Sequence, residues 1–427
     1  MAGGRRDRQG RPVVAITGMG VVTSLGIGKA DNWAAIMAGK SGLSTIKRFP
    51  LDGLKTTVAG TIDFIPADPF CAAELTERLA HVAVEEAVAE AAVGSKGAFP
   101  GPLFLAMPPV ETEWEQREAV LAAGPHTEPV TYANLLAGAA TGRFRAWGER
   151  FLFGSVADHI AERFGTQGSP ITLSTACASG ASAIQLGVEA IRRGETKAAL
   201  CVGTDATVNL ESLVRFSLLS ALSSANEPPE EASKPFSKNR DGFVMAEGAA
   251  ALVLEDYDAA KARGARILGI LEGVGELADS FHRTRSSPDG KPVIGCMRNA
   301  LADASVGPEA IDYVNAHGTG TPENDKMEYN SMSVVFGDML KTLPVSSNKS
   351  MVGHTLSAAG AIETVFSILT MANGRIPPTI NYKVPDPAIP LDVVPNVPRD
   401  AEVARVLSNS FGFGGQNVSL VLAREPA

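Results

Sequence analysis

The two halves of this 427-residue sequence repeat one order of strand-like and helix-like segments. The β-branched run 13–19 opens the first half and the similar run 266–274 opens the second, each leading into glycine. The halves also end alike, with the apolar runs 249–255 and 418–425. This self-similarity predicts two α/β units related by a pseudo-twofold axis, with a ligand site where strand ends of both units converge.

The composition excludes several classes of protein. With 45% hydrophobic and 20% charged residues the chain has the makeup of a soluble globular protein. Its net charge of -9 and its lack of a long basic run argue against a nucleic-acid partner. We expect no apolar stretch to reach the length of a membrane span, so we predict no membrane insertion.

The first eleven residues include four arginines, which precede the apolar run 13–23. The run is β-branched and interrupted by glycines, which favours a first strand over an export signal. We therefore predict a disordered basic arm over 1–11, an N-terminal half over 12–262 and a C-terminal half over 263–427.

The four cysteines, Cys71, Cys177, Cys201 and Cys296, show neither CxxC pairing nor the spacing of a Cys/His metal site. Free thiols are typical of a reducing compartment, so we predict a cytoplasmic protein without a metal centre.

Cys177 lies at a predicted junction between a strand and a helix. The stretch Ser174-Thr-Ala-Cys-Ala-Ser-Gly180 follows the β-type run 171–173 and opens a segment, 181–193, with helical spacing of apolar residues. Small neighbours allow close approach of a substrate, and the positive end of a helix favours a thiolate. We therefore expect a pKa below that of a free thiol. A buried structural cysteine is the alternative interpretation.

Three further loops leave predicted strand ends with residues capable of chemistry. They are Asn315-Ala-His-Gly-Thr-Gly-Thr321, Ser347-Asn-Lys-Ser-Met-Val-Gly-His354 and Phe411-Gly-Phe-Gly-Gly415. Each has a simpler interpretation, since histidines are commonly surface residues, lysines are usually solvated, and a glycine-rich loop can be a plain hairpin. Their position at strand ends of an α/β protein favours a shared site, with Phe413 as a mobile lid.

These motifs, together with Pro235-Phe-Ser-Lys-Asn-Arg-Asp-Gly-Phe243, resemble the β-ketoacyl-acyl-carrier-protein synthases, most closely the elongating synthase I/II type. The resemblance runs from about residue 12 to 425. It implies a thiolase-like fold of two βαβαβαββ halves in a five-layer αβαβα sandwich, and a homodimer.

The resemblance also implies roles for individual residues. Cys177 would be the nucleophile that takes the acyl chain, and its N–H and that of Phe413 would form the oxyanion hole. His317 and His354 would stabilise the enolate formed by decarboxylation of a malonyl thioester. Lys349, paired with Glu363, would support the site electrostatically. Further family positions are matched by the substrate-binding residues Thr319, Thr321, Phe411, Gly414 and Gly415, and by the structural residues Asp325 and Glu328.

The implied activity is 3-oxoacyl-[acyl-carrier-protein] synthase, a decarboxylative condensation in fatty-acid elongation that needs no cofactor of its own. Phosphopantetheine would arrive on the carrier protein. Because carriers are acidic and this chain is itself at -9, docking would need a local basic patch. The candidates are Arg143, Arg145, Arg283 and Arg285. One departure from the family is the pair Glu323 and Asn324, where a small residue and glycine are common.

Four alternatives make different demands on the site. A papain-like hydrolase would use one histidine and an Asn or Asp, leaving Lys349 unexplained. A non-catalytic chain-length partner would lack Cys177. A priming synthase would have Asn in place of His354, and a thiolase would have a second cysteine.

Overall fold

The structure, a computed structural model, describes residues 5–68 and 71–425. Its strands are β1 (Val14–Thr23), β2 (Gly26–Ile27), β3 (Ser44–Thr45), β4 (Val58–Ala59), β5 (Leu103–Ala106), β6 (Ile171–Leu173), β7 (Ala198–Asp205), β8 (Gly248–Asp256), β9 (Gly269–Ala278), β10 (Tyr313–Asn315), β11 (Val345–Ser346), β12 (Arg375–Ile376), β13 (Arg399–Asp400), β14 (Arg405–Phe411) and β15 (Gln416–Ala423). Its α-helices are α1 (Gly28–Met37), α2 (Ala72–Ala91), α3 (Trp114–Ala122), α4 (Tyr132–Ala139), α5 (Arg145–Arg150), α6 (Ser155–Phe164), α7 (Ser179–Arg192), α8 (Leu210–Leu218), α9 (Tyr257–Ala262), α10 (Lys291–Ala304), α11 (Pro322–Phe336), α12 (Lys349–Val352) and α13 (Ala359–Asn373).

The main sheet has eleven strands, of which ten form two equivalent sets of five, while β2 pairs only with β1. Its order is β11-β10-β14-β15-β9-β1-β8-β7-β5-β6, and the sets meet where β9 pairs antiparallel with β1. From this junction outward the N-terminal set runs β1-β8-β7-β5-β6 and the C-terminal set runs β9-β15-β14-β10-β11. Within each set of five, numbered in chain order, this is the same path: first, fifth, fourth, second and third strand. This equivalence confirms the predicted internal repeat and the βαβαβαββ order of each half.

Two helices form the central layer. Helix α7 packs against α13, and each also contacts strands of both halves. On the outer faces α2 covers β1 and β8, while α10 covers β9 and β15. The result is the predicted αβαβα sandwich, and α13 is buried along nearly its whole length.

Glycines permit the close packing of this central layer. A Cβ atom on Gly180, in α7, would lie 2.7 Å from the backbone nitrogen of Ala361 in α13. A Cβ atom on Gly203, in β7, would lie 3.0 Å from the Cβ of Ala361. A larger side chain at Gly180 would therefore push the two central helices apart.

The largest errors of the sequence prediction are two helices near the site. Helix α8, Leu210–Leu218, follows β7 and was not predicted. Helix α11, Pro322–Phe336, follows the His317 motif and was not predicted. Both helices begin at a side-chain cap, Asn209 and Thr321 respectively, so a capping signal was present in the sequence.

The N-terminal arm differs from the prediction over the residues that the structure describes. Residues 5–11 form a turn, and Arg11 makes a 2.6 Å ion pair with Asp303. Arg5 donates a hydrogen bond to the hydroxyl of Tyr257. Arginines that we assigned to a disordered arm are therefore fixed by carboxylate and hydroxyl partners; residues 1–4 lie outside the described residues.

The expectation about membrane spans also needs correction. The segment Leu356–Asn373, which includes α13, is long and apolar enough to cross a bilayer. In the structure 83% of this segment is buried inside the protein. Its hydrophobicity is accounted for by its place between two layers of sheet.

Candidate active site

The turn that presents Cys177 is a strained elbow between β6 and α7. Ala176 has φ of +50°, a value that non-glycine residues rarely adopt. The elbow is held by Ser179, whose hydroxyl donates to the Ala176 carbonyl at 2.6 Å and accepts the Thr175 N–H at 2.8 Å. The sharp reversal places the Cys177 side chain at the carboxyl end of the sheet, as the sequence predicts.

The protonation of Cys177 differs from the prediction. Burial raises the pKa of its thiol to about 11, although a hydrogen bond from the Phe413 N–H and the charge of Lys349 act to lower it. The expectation of a lowered pKa was wrong. Burial costs the thiolate more hydration free energy than it gains from the helix end, the N–H donor and the Lys349 charge. Cys177 is therefore a thiol at neutral pH in the free protein.

The glycine-rich loop between β14 and β15 lies directly over this elbow. A Cβ atom on Gly412 would lie 2.8 Å from the Thr175 carbonyl, so only glycine allows the contact. Hydrogen bonds from the Phe413 N–H and from the N–H of Cys177 itself act to lower the pKa of the Cys177 thiol. Two backbone donors thus lie beside the sulfur, an arrangement compatible with the oxyanion hole that the resemblance implies.

His317 follows β10 and is held by a buried carboxylate. Glu328 of α11 accepts the His317 N–H and the Gly318 N–H, each at 2.8 Å. Burial raises the pKa of Glu328 to about 7. This unpredicted helix therefore supplies the anchor of a predicted loop, and it gives Glu328 the structural role that the resemblance implied.

The imidazole of His317 is neutral at physiological pH. Burial, the charge of Lys349 and the charge of His354 all lower its pKa well below the usual value. Its Nδ1 lies 3.5 Å from Nζ of Lys349. Because an ammonium group only donates, Nδ1 is the acceptor and the ring proton belongs on Nε2.

His354 meets the same site from the third strand of the C-terminal half. Its ring lies edge-on to the His317 ring, with centroids 5.3 Å apart, and edge-on to Phe243 at the same separation. Burial and the charge of Lys349 lower its pKa well below the usual value. Neither ring nitrogen has a hydrogen-bond partner among residues 5–68 and 71–425, so both are free to meet a ligand.

Lys349 is a buried lysine with a buried partner. Its ammonium group pairs with Glu363 of α13, and both side chains are almost fully enclosed. Burial raises the pKa of Glu363 to about 7, while the Lys349 charge acts to lower it. The pairing predicted from the resemblance is thus present, next to both histidines.

A cavity of about 720 Å³ connects these groups with the surface. Its inner wall includes Cys177, His317 and His354. Other predicted residues that line it are Thr319, Thr321, Phe411, Phe413, Gly414 and Gly415. The structure therefore brings together the groups that the sequence scatters over nearly 240 positions, as 177 to 415 spans.

The unusual Asn324 lines the cavity, whereas Asp325 lies behind the cavity wall. The Asp325 carboxylate accepts the Phe236 N–H at 2.6 Å and the Gly320 N–H at 3.1 Å. Asn324 donates to Asp325 at 3.2 Å. Asp325 thus ties the Pro235–Phe243 segment to the His317 loop, a structural task, and Asn324 takes part in the same network.

The four candidate docking arginines occupy two different places. Arg285 lines the cavity, and the Arg283 carbonyl accepts the Gly414 N–H at 2.8 Å. Arg145 is exposed on α5 and pairs with Glu149, and neither it nor Arg143 lines the cavity.

Comparison with known proteins identifies the family. The β-ketoacyl synthase N-terminal domain matches residues 11–90 and 119–260, and the β-ketoacyl synthase C-terminal domain matches residues 268–383. Together these matches cover most of the sequence. The chain belongs to the β-ketoacyl synthase family.

Relatives within this family are similar over their whole length. A 3-oxoacyl-[acyl-carrier-protein] synthase 2 of Coxiella burnetii is 37% identical, with 96% of this chain and 98% of the relative covered. The ketoacyl synthase alpha subunit of a tetracenomycin polyketide synthase of Streptomyces glaucescens is 34% identical, with 96% of this chain and 97% of the relative covered. A solved type II polyketide ketosynthase, in complex with its acyl-carrier protein, is 31% identical with a TM-score of 0.85, and the match covers 97% of this chain and 99% of the ketosynthase. This β-ketoacyl synthase is accordingly a condensing acyltransferase with the thiolase-like fold.

Proposed function

We propose that this β-ketoacyl synthase is a 3-oxoacyl-[acyl-carrier-protein] synthase of fatty-acid elongation. It would condense a malonyl-carrier thioester with an acyl chain on Cys177 and release carbon dioxide. One observation carries the proposal: a buried thiol and two neutral histidines face one cavity beside two converging backbone N–H donors.

In the first step the Cys177 sulfur attacks the acyl-carrier thioester. A carbon–sulfur bond forms to Cys177, the bond to the carrier thiol breaks, and that thiol takes up the proton that Cys177 gives up. The negative charge on the acyl oxygen is stabilised by the N–H groups of Cys177 and Phe413. A thiol pKa of about 11 is compatible with this exchange, since the proton is transferred during attack and no standing thiolate is needed.

In the second step the malonyl thioester loses carbon dioxide and its carbonyl oxygen acquires enolate charge. The N–H groups of neutral His317 and His354 can donate to that oxygen. The enolate carbon then bonds to the acyl carbonyl carbon, the Cys177–acyl bond breaks, and the sulfur takes up a proton from solvent. Burial and the charge of Lys349 keep both histidines neutral, and Lys349 directs the His317 proton to Nε2. No cofactor of the protein's own is required.

The proposal is tested with malonyl-carrier and acyl-carrier as paired substrates. We expect a 3-oxoacyl-carrier product, detected by mass spectrometry, and complete block by iodoacetamide at Cys177. Cys177→Gln should abolish condensation yet retain decarboxylation of malonyl-carrier. Condensation by Cys177→Gln would refute the assignment of the nucleophile.

A polyketide ketosynthase is the second candidate function. The specific observation in its favour is the similarity to polyketide enzymes, including the structure with the TM-score of 0.85. The two functions differ in whether the β-keto group of the growing chain is reduced before the next condensation. Acyl-carrier and 3-oxoacyl-carrier primers of equal length, offered in competition, distinguish them by which one acylates Cys177.

For the carrier protein we propose docking at Arg283 and Arg285 in preference to Arg143 and Arg145. Arg285 lies at the cavity through which the phosphopantetheine arm must enter, and the loop of Arg283 contacts the Phe413 loop. Charge reversal of Arg283 and Arg285 to Glu should raise the Kd for the carrier and reduce its salt dependence. The matched reversal of Arg143 and Arg145 should leave both unchanged.

We further propose a cytoplasmic homodimer. Strand β6 is the end strand of the sheet, and its Ile171 is exposed. Other large apolar side chains of the N-terminal half are also exposed, among them Trp114, Tyr132, Leu136, Leu152 and Leu218. We expect part of this exposed apolar area to be covered by a second copy of the chain. Sedimentation velocity should give twice the mass of the 427-residue chain, and a monomer at micromolar concentration would contradict this.

A further inference from the structure

Asp205 is a fully buried carboxylate that the steps above do not use. It is the last residue of β7 and is 0% exposed. One carboxylate oxygen accepts the Thr207 N–H at 3.0 Å and the Thr207 hydroxyl at 2.6 Å. The other accepts the Ser357 N–H at 3.1 Å. This last bond joins the N-terminal half to the C-terminal half, three residues beyond His354.

The placement of the His354 ring depends on the backbone that carries it. Among the described residues, none forms a hydrogen bond with either nitrogen of the His354 ring. Upstream the backbone is fixed, because the His354 N–H donates to the Val244 carbonyl at 2.7 Å and the His354 carbonyl accepts the Ala246 N–H at 3.0 Å. Downstream Leu356 has φ of +45°, a left-handed conformation that is unfavourable for a non-glycine residue. The segment needs an outside contact to keep this shape, and Ser357 provides it.

The same segment lies against the helix that follows Cys177. A Cβ atom on Gly180 would be 3.1 Å from the Ser357 carbonyl. A Cβ atom on Gly203, two residues before Asp205, would be 3.3 Å from Cα of both Gly180 and Ala358. The end of β7, the start of α7 and the segment after His354 are therefore in direct contact. Movement of Ser357 would change the position of His354 relative to Cys177.

We propose that Asp205 is a positioning residue, which sets the place of the His354 imidazole relative to Cys177 through its bond to the Ser357 N–H. The catalytic consequence rests on the proposed function, in which His354 donates to the enolate oxygen. Asp205 also has an opposing effect on the nucleophile, since its charge raises the pKa of Cys177. Neutralising it should therefore harm the step that uses His354 and spare or assist the reactions of the Cys177 sulfur.

Asp205→Asn tests this prediction, because the amide keeps the volume but replaces one acceptor oxygen by an N–H donor. We expect decarboxylation of malonyl-carrier to fall 10-fold to 100-fold, the scale of a misplacement of about 1 Å. Alkylation of Cys177 by iodoacetamide at pH 8 should be as fast as in the parent or faster. Equal losses in both reactions would overturn the proposal, since general damage to the fold would produce them.

Two milder variants guard against a failure of Asp205→Asn to fold. Ser357→Ala keeps the N–H but removes a hydroxyl that acts to lower the pKa of the Asp205 carboxyl, so decarboxylation should fall only a few-fold. Thr207→Val, the matched control, removes a bond on the other side of the carboxylate and should leave decarboxylation within twofold of the parent. A larger loss in Thr207→Val than in Ser357→Ala would overturn the proposal.

A double-mutant cycle and a crystal structure complete the test. In a His354→Ala background Asp205→Asn should cause no further loss of decarboxylation, whereas multiplying losses would show that Asp205 acts elsewhere. In the crystal structure of Asp205→Asn the imidazole should be displaced by about 1 Å, and an unmoved ring refutes the inference. This structural result does not depend on activity, so an inactive parent protein would refute the proposed function alone.

Discussion

Replacement of Lys349 by Met should change how the stability of the protein depends on pH. Lys349 and Glu363 are 2% and 3% exposed, and they form an ion pair inside the C-terminal half. Burial already raises the pKa of Glu363 to about 7, and the Lys349 charge opposes a further rise. Without that charge the pKa of Glu363 must increase again, while the Met side chain fills much of the space.

The size of the effect follows from proton linkage. A carboxyl group whose pKa is higher in the folded state takes up a proton on folding, so stability falls as pH rises from the ordinary value of 4.5 to the folded value. In the parent this decline ends near pH 7. In Lys349→Met it continues at about 1.4 kcal/mol per pH unit, because buried glutamates with pKa values of about 8–9 are known. Between pH 7 and 8.5 the variant should therefore lose about 2 kcal/mol relative to the parent.

Urea unfolding followed by circular dichroism at pH 6, 7 and 8.5 measures this difference. Other buried carboxyl groups with raised pKa values, such as Glu247, are common to both proteins and cancel in the comparison. The matched control is Lys349→Met with Glu363→Gln, which has no carboxyl to titrate and should lose the extra slope. Parallel pH profiles for the parent and Lys349→Met, or a slope that persists in the double variant, would refute this reasoning.

Three further predictions concern the nucleophile and its loops. Because burial raises the pKa of Cys177 to about 11, the rate of alkylation by iodoacetamide should rise about tenfold per pH unit from pH 7 to 10. Intact-mass kinetics measure this rate, with Cys177→Ala as the blank. A rate that reaches a plateau below pH 9 would contradict the raised pKa. Gly415→Ala would bring a Cβ atom within 1.8 Å of the Asp279 carbonyl, whereas the same change at Gly414, which also has a positive φ, meets nothing within 4 Å. The value of kcat/KM for condensation should therefore fall at least about tenfold more in Gly415→Ala than in Gly414→Ala. Equal losses would show that the contact with Asp279 does not fix the 411–415 loop. Glu328→Gln leaves the buried N–H of His317 or Gly318 without its acceptor, so urea unfolding should show a loss of about 1–3 kcal/mol, and an unchanged midpoint would exclude this anchoring role.

The sequence predicted the elements that have strong local signals. The β-branched and apolar runs became β1, β8, β9 and β15, and the helical spacing after Cys177 became α7. Helices α8 and α11 were missed, although Asn209 and Thr321 cap them. Helix α11 is a polar segment whose buried Asp325 and Glu328 bind backbone N–H groups of neighbouring loops. Its sequence therefore does not show the apolar stripe by which an amphipathic helix is recognised.

By itself the sequence determined which chemical groups the protein has: a cysteine at a strand–helix turn, two histidines in separate loops, a lysine and a glycine-rich hairpin. Local backbone preference and short motifs contain that information. Only the tertiary structure decided the state of these groups, because desolvation and the field of Lys349 depend on all the elements that enclose them. Burial turned an expected thiolate into a thiol with a pKa of about 11, and it made both histidines neutral donors. The bond from Ser357 to Asp205 likewise joins positions 152 residues apart, a distance over which no sequence pattern acts.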